Sequence, residues 1–240
     1  MNVRRGWIIL MAALLLSCAA RFSPLEQLKE QYARYPEFTI ILNDMKEEGN
    51  FFKDYYHQYK VIYAEPVAEN PDSLVYFTEI TDWYKVDRKT YEKYFNFLGM
   101  ALLSKTPDGQ IVDVQFPPGY QYVGNPRYGT WRTDAHGNSF WEFYGKYMFL
   151  SQMFGMFTRP IYQSDWEDYR RYTRQGRPYF GRGNEYGTFG KITKKTHRSF
   201  FERQQLKQQL KKQRFADKVK QRVRRSKMSG LRSRSGGFGK

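Results

Sequence analysis

The residues of this 240-residue chain whose types suit catalysis or metal binding are three histidines, one cysteine and a scatter of carboxylates. His57, His136 and His197 are widely separated, and no two stand at a metal-ligand spacing such as i, i+4. His57 falls in an alternating stretch and reads as a satisfied surface or core histidine. His136, in "TDAHGN", reads as a hairpin-tip residue. Asp134, His136 and Glu142 are close enough in sequence for an acid–base role to be imagined. Turn chemistry explains Asp134 to Asn138 more simply, and Ser139 with Glu142 spells a helix capping box. Asp165 with Asp168, and Glu47 with Glu48, sit in solvated contexts. "GRGNEYG" (181–187) lacks the flanking strand and helix of a dinucleotide fingerprint and the Gly-Lys-Ser/Thr of a phosphate loop. One cysteine allows neither an intramolecular disulfide nor a cysteine-based metal cluster. No catalytic residue, metal or cofactor is implied, and the balance is against an enzyme.

Charge is the stronger signal. The net charge is +16, but residues 191–240 hold 18 Lys/Arg against Glu202 and Asp217, while residues 1–190 carry 22 basic and 22 acidic residues. A neutral body therefore bears a cationic tail. Lys207, Lys211, Lys212, Arg214, Lys218, Lys220, Arg222, Arg224 and Arg225 are its candidate anion-binding residues. Such a segment suits nucleic-acid phosphates, anionic lipid head groups or an acidic protein.

The N-terminus decides between these. Arg4 and Arg5 precede an apolar run from Trp7 to Leu16, too short to span a bilayer but of signal-peptide length. Leu15-Leu16-Ser17-Cys18 resembles the lipobox of bacterial lipoproteins. That resemblance implies cleavage before Cys18 and acylation of its sulfur and new amino terminus, with residues 1–17 as the signal peptide. Ala19 rather than Asp after the cysteine implies the outer membrane in a Gram-negative cell. Outside the cytoplasm the tail meets anionic lipid, lipopolysaccharide or an acidic protein, and nucleic acid is not an expected partner. With its "NSFWEFYGKY" segment and "RSRSGGFGK" end, the whole chain resembles uncharacterised envelope lipoproteins, a likeness that brings no known activity.

The elements expected to carry these features follow from periodicity. Residues 18–36 read as a tether, with Leu25, Leu28 and Tyr32 at helical spacing. Residues 37–124 read as an α+β domain with a small antiparallel sheet and a packed helix. Alternation predicts strands at 37–45, 52–66, 73–86 and 111–116, with Gly49-Asn50 turning the first hairpin. Helical spacing covers 87–105, with Asp87 as cap. Residues 125–190 read as a Gly/aromatic-rich helical extension, with helices at 139–157 and 164–176 (Ser164 before Glu167) and a linker at 177–191. The basic tail, 191–240, predicts a solvated helix at 198–227 and a disordered end at 228–240.

The expectation is a lipid-anchored envelope protein with a binding or scaffolding role. Tyr, Trp and Phe at 120–162 would form its partner face, and its tail would touch an anionic surface. Two alternatives stay open: a cytoplasmic nucleic-acid-binding protein, and an envelope glycan enzyme with Asp134 or Glu142 as acid.

Overall fold

The computed structural model describes residues 23–49, 52–155 and 159–232. The chain divides into two units, Met1–Thr193 and Lys194–Lys240. The first is α+β, built on an antiparallel sheet whose strands lie in the order β3 (Asn70–Ile80), β2 (Asp54–Val67), β1 (Glu37–Glu48), β5 (Ala101–Lys105) and β6 (Ile111–Val112).

Helix α1 (Pro24–Tyr32) starts where the Ser23 hydroxyl accepts the Glu26 amide at 3.3 Å, with proline in the first turn. Its apolar residues Leu25, Leu28 and Tyr32 are all buried, and it packs on β1. The described part of the expected tether is thus helical and is docked on the sheet. The Tyr32 hydroxyl fixes it further by donating to Glu79 on β3 at 2.6 Å.

The long hairpin of β1 (Glu37–Glu48) and β2 (Asp54–Val67) is the frame, with Gly49 at positive φ in the turn. β1 is buried along nearly its whole length because both sheet faces are covered. β3 (Asn70–Ile80) pairs with the second half of β2, and β4 (Tyr84–Val86) with its first residues. A single strand over 73–86 was expected. It breaks at the buried Thr81, whose amide donates to the Tyr59 carbonyl and whose hydroxyl accepts the Tyr59 amide.

Helix α2 (Arg88–Tyr94) is capped by Asp87 as expected, the carboxylate accepting the Thr90 amide at 2.7 Å. It ends far short of residue 105, and Ala101–Lys105 forms β5, antiparallel to β1. Leu98 and Met100 to Leu103 are buried, and an apolar run of that length fits a central strand as well as a helix. Gly99, at φ +73°, turns the chain into the strand. β6 is only Ile111–Val112, and the rest of the expected strand contributes one bridge, Phe116 to Ala101.

The expected helix over 139–157 is also corrected. β7 (Gly129–Thr133) and β8 (Ser139–Phe143) form a hairpin with Trp131 opposite Trp141, and only Met148–Met153 is helical, as α3. The cross-strand tryptophan pair, with ring centroids 5.1 Å apart, prevails over a local capping pattern. Helix α4 (Gln163–Arg174) is present, but Tyr162, not Ser164, stands at its N-cap. The expected linker over 177–191 is packed structure: Tyr179 is buried, and the Thr188 hydroxyl accepts the Leu98 amide and donates to the Phe95 carbonyl. α5 spans Lys191–Thr196.

One sheet face carries α1 and α2. The other receives the core of residues 116–179, where Phe116, Tyr120, Tyr122, Tyr128, Trp141 and Leu150 meet Ile41 and Ile62. Across this seam the buried Glu37 accepts hydroxyls from Tyr128 at 2.6 Å and Tyr76 at 2.9 Å.

The second unit is dominated by α6, Arg198–Arg232, 35 residues without interruption. The helix passes the expected end at 227, and residues 233–240 of the expected disordered end lie outside those described.

Candidate functional site

Cys18 and the targeting segment lie outside the described residues. All nine sequence-chosen cations stand on α6. At 3.6 residues per turn, Arg203, Lys207, Lys211, Arg214, Lys218, Arg222 and Arg225 fall within an arc of about 100°, in a stripe about 33 Å long. Lys212, Lys220 and Arg224 lie off it. Leu206 and Leu210 flank the stripe on one side, and Phe215, Val219 and Val223 on the other, all five exposed. The helix is therefore a cationic ridge between two apolar shoulders. The three- and four-residue steps that build the stripe are present in the sequence.

The imagined acid–base group does not assemble. Asp134 closes the β7–β8 turn, accepting the His136 and Asn138 amides at 2.8 and 2.9 Å, and these bonds hold its carboxyl below the usual range. Glu142 pairs with Arg132 across the hairpin at 2.8 Å. Asp134 is a half-buried turn residue and Glu142 an exposed strand residue, and His136 is at the hairpin tip as expected. His57 is fully buried, its ring stacked on Tyr91 and its Nδ1 3.2 Å from the Tyr59 hydroxyl. Its Nε2 meets no hydrogen-bond partner among the described residues, and burial lowers its pKa to about 4. It is a core residue rather than a ligand. Among the described residues no group of His, Cys, Asp and Glu could hold a metal, and no helix is long and apolar enough to cross a membrane.

The aromatic residues at 120–162, expected as a partner face, divide between core and surface. Tyr120, Tyr122, Tyr128, Trp141 and Phe154 are buried, while Tyr144, Met148 and Phe149 are exposed.

Sequence reasoning missed a cleft of about 640 Å³ in the first unit. One wall is the β5–β6 hairpin (Thr106, Asp108, Gln110, Val112), the second the loop from Tyr120 to Arg127, and the third α4. Trp166, Arg170 and Arg174, four residues apart, line it from one stripe of α4. That spacing was the available signal. Gly124, at φ +80°, lets the Trp166 ring approach: a Cβ there would come within 2.4 Å of the indole. The Arg170 guanidinium sits over the indole, 4.9 Å from the ring centroid, and Trp131 meets it edge-on at 5.6 Å. Neither Arg170 nor Arg174 is in an ion pair among the described residues. The salt bridges of this region are Arg171–Asp168, at the outer surface of α4, and Arg159 with Asp165 and Glu185, at 2.6 and 2.9 Å.

Comparison with protein-family models, curated proteins and solved structures finds no match to this chain.

Proposed function

We propose that this chain is a bacterial envelope lipoprotein, held to a membrane by acylation of Cys18, with a binding or scaffolding role. Its basic helix α6 lies along an anionic surface. In a Gram-negative cell the anchor is in the outer membrane. The observation that carries the reading is the stripe of seven cations flanked by exposed apolar residues on α6. Each cation near an anionic membrane contributes about 1 kcal/mol, and the apolar shoulders add burial at the head-group boundary. A nucleic-acid strand would satisfy the cations but leave Phe215, Val219 and Val223 in water, which favours lipid over the nucleic-acid alternative. A glycan enzyme finds no support in Asp134 or Glu142, which are engaged elsewhere.

Two measurements test this. Labelling with a radioactive fatty acid should mark the wild-type chain and not Cys18→Ala; equal labelling removes the anchor. The purified chain should bind phosphatidylglycerol vesicles and be released by salt. Binding that is indifferent to lipid charge and to salt removes the surface role of α6.

A further inference from the structure

We infer that the cleft between the β5–β6 hairpin and α4 is a binding site for an acidic saccharide, a sugar carrying a carboxylate or phosphate. The inference concerns the first unit and does not depend on the anchor or on α6.

Three observations select this ligand. First, the cleft's volume of about 640 Å³ is within the range of small-molecule sites and would hold a short oligosaccharide. Second, its charge is one-sided. Arg170 and Arg174 have no carboxylate partner among the described residues, and Asp108 at the hairpin tip is the one acidic residue in the lining. Guanidinium groups so placed await a carboxylate or phosphate, which they bind through charge-assisted, bidentate hydrogen bonds. Third, the rest of the lining mixes the side-chain amides of Gln110 and Asn125 with the half-buried apolar side chain of Val112. That mixture matches a sugar, whose hydroxyls need polar partners and whose C–H faces need apolar ones.

A nucleotide fits less well. Trp166 is already covered by Gly124, Arg170 and Trp131, so the cleft offers no open aromatic platform for a base. A neutral sugar would leave the two arginines unmatched.

The site is pre-formed rather than improvised. Gln121, at its back, is held at both ends: its Nε2 donates to the Thr39 hydroxyl at 2.7 Å, and its Oε1 accepts the Gly119 amide at 3.1 Å. The hairpin wall is closed by Thr106, whose amide donates to the Gln110 carbonyl at 2.9 Å. The arginines project from a regular helix, so their spacing is set by helical geometry.

Calorimetric titration of the full-length protein, in detergent, tests the inference. The probes are a uronate trisaccharide, a sugar-phosphate disaccharide, maltotriose, inorganic phosphate and a tetraglutamate peptide. The expected result is saturable one-site binding of at least one acidic saccharide, with maltotriose, phosphate and tetraglutamate at least tenfold weaker. Arg170→Ala with Arg174→Ala should weaken that binding at least about a hundredfold, the charge-assisted contacts of both guanidinium groups being removed. Arg88→Ala with Arg132→Ala removes the same charge elsewhere on the body and should leave it unchanged. Both arginines of the cleft are exposed, so the variant should fold, which its circular dichroism checks. Absence of saturable binding by either acidic saccharide below ~1 mM overturns the inference. So does equal binding of phosphate or tetraglutamate, which would define a general anion site. Unchanged affinity in the Arg170/Arg174 variant would place the sugar elsewhere, on α6 among other positions, and overturn it too.

Discussion

His57 offers the sharpest test of the core. Its ring is fully buried between Tyr59, Tyr91 and Tyr94, and its Nε2 has no partner among the described residues. Desolvation lowers its pKa from 6.5 to about 4. Above pH 6.5 the imidazole is neutral whether the chain is folded or not, so it adds no pH dependence. Below 6.5 the unfolded chain takes up a proton that the folded chain refuses, and stability falls with pH until about pH 4, where the folded form begins to protonate. At 1.36 kcal/mol per pH unit, the loss accumulated over that window is about 3 kcal/mol. His57→Phe keeps a flat ring against Tyr91 and cannot protonate. Urea denaturation of wild type and variant from pH 7.5 to pH 4 should therefore give curves that converge, the wild type losing about 3 kcal/mol more than the variant. A constant repacking cost of the larger ring cancels from this difference, as do the carboxylates common to both proteins. Parallel curves would refute the argument, because they would mean that the imidazole protonates as easily inside the protein as outside.

The remaining predictions concern the seam, the cleft and the helix. Glu37→Ala orphans the hydroxyls of Tyr76 and Tyr128 and should cost about 2–4 kcal/mol in urea denaturation, with Glu37→Gln, which retains an acceptor, losing less. Gly109→Ala and Gly124→Ala both impose positive φ on an L-residue, costing about 1–2 kcal/mol, but only the second collides with a ring. Gly124→Ala should therefore cost more than Gly109→Ala and alter the near-ultraviolet dichroism of the tryptophans, while Gly109→Ala should not. On α6, changing Lys207, Lys211 and Lys218 together to Glu breaks the stripe, whereas changing Lys212, Lys220 and Arg224 together to Glu alters the same charge off it. In vesicle sedimentation the first triple should lose more affinity for phosphatidylglycerol than the second.

Sequence periodicity revealed the elements whose information is local. The β1–β2 hairpin follows from alternation interrupted by a glycine turn, and the start of α2 from an aspartate whose carboxylate reaches the third amide along. The errors occurred where a local pattern had a competing long-range partner. Leu98 to Leu103 could be read as either helix or strand, and the exposed hydrogen-bonding edge of β1 decided it. Ser139 and Glu142 had the spacing of a capping box, yet Trp141 lies opposite Trp131, and Arg132 takes up Glu142. The role of Glu37 has no local signal, because its tyrosine partners stand 39 and 91 residues away. The cleft was half legible. The four-residue steps of Trp166, Arg170 and Arg174 were visible, but nothing local shows that the 106–112 hairpin and the 120–127 loop come to face them.

The same physics accounts for the buried rings of residues 120–162. A chain with 20 Tyr and 19 Phe must build its core from rings, and every buried tyrosine hydroxyl needs an acceptor. Glu37 is such an acceptor for Tyr76 and Tyr128, so rings that would otherwise have to face water close over the sheet instead. Tyr120, Tyr122, Tyr128, Trp141 and Phe154 of the aromatic segment thereby become part of the interior of the body. What the folded body presents at its cleft is arginine supported by tryptophan, and what the second unit presents is lysine and arginine along one helix. Both surfaces call for anions but in different geometries. The cleft is concave and small, suited to a discrete ligand, and the stripe is convex and about 33 Å long, suited to an extended surface. Salt distinguishes them: screening should release the exposed stripe from its surface well before it weakens bidentate contacts inside the cleft.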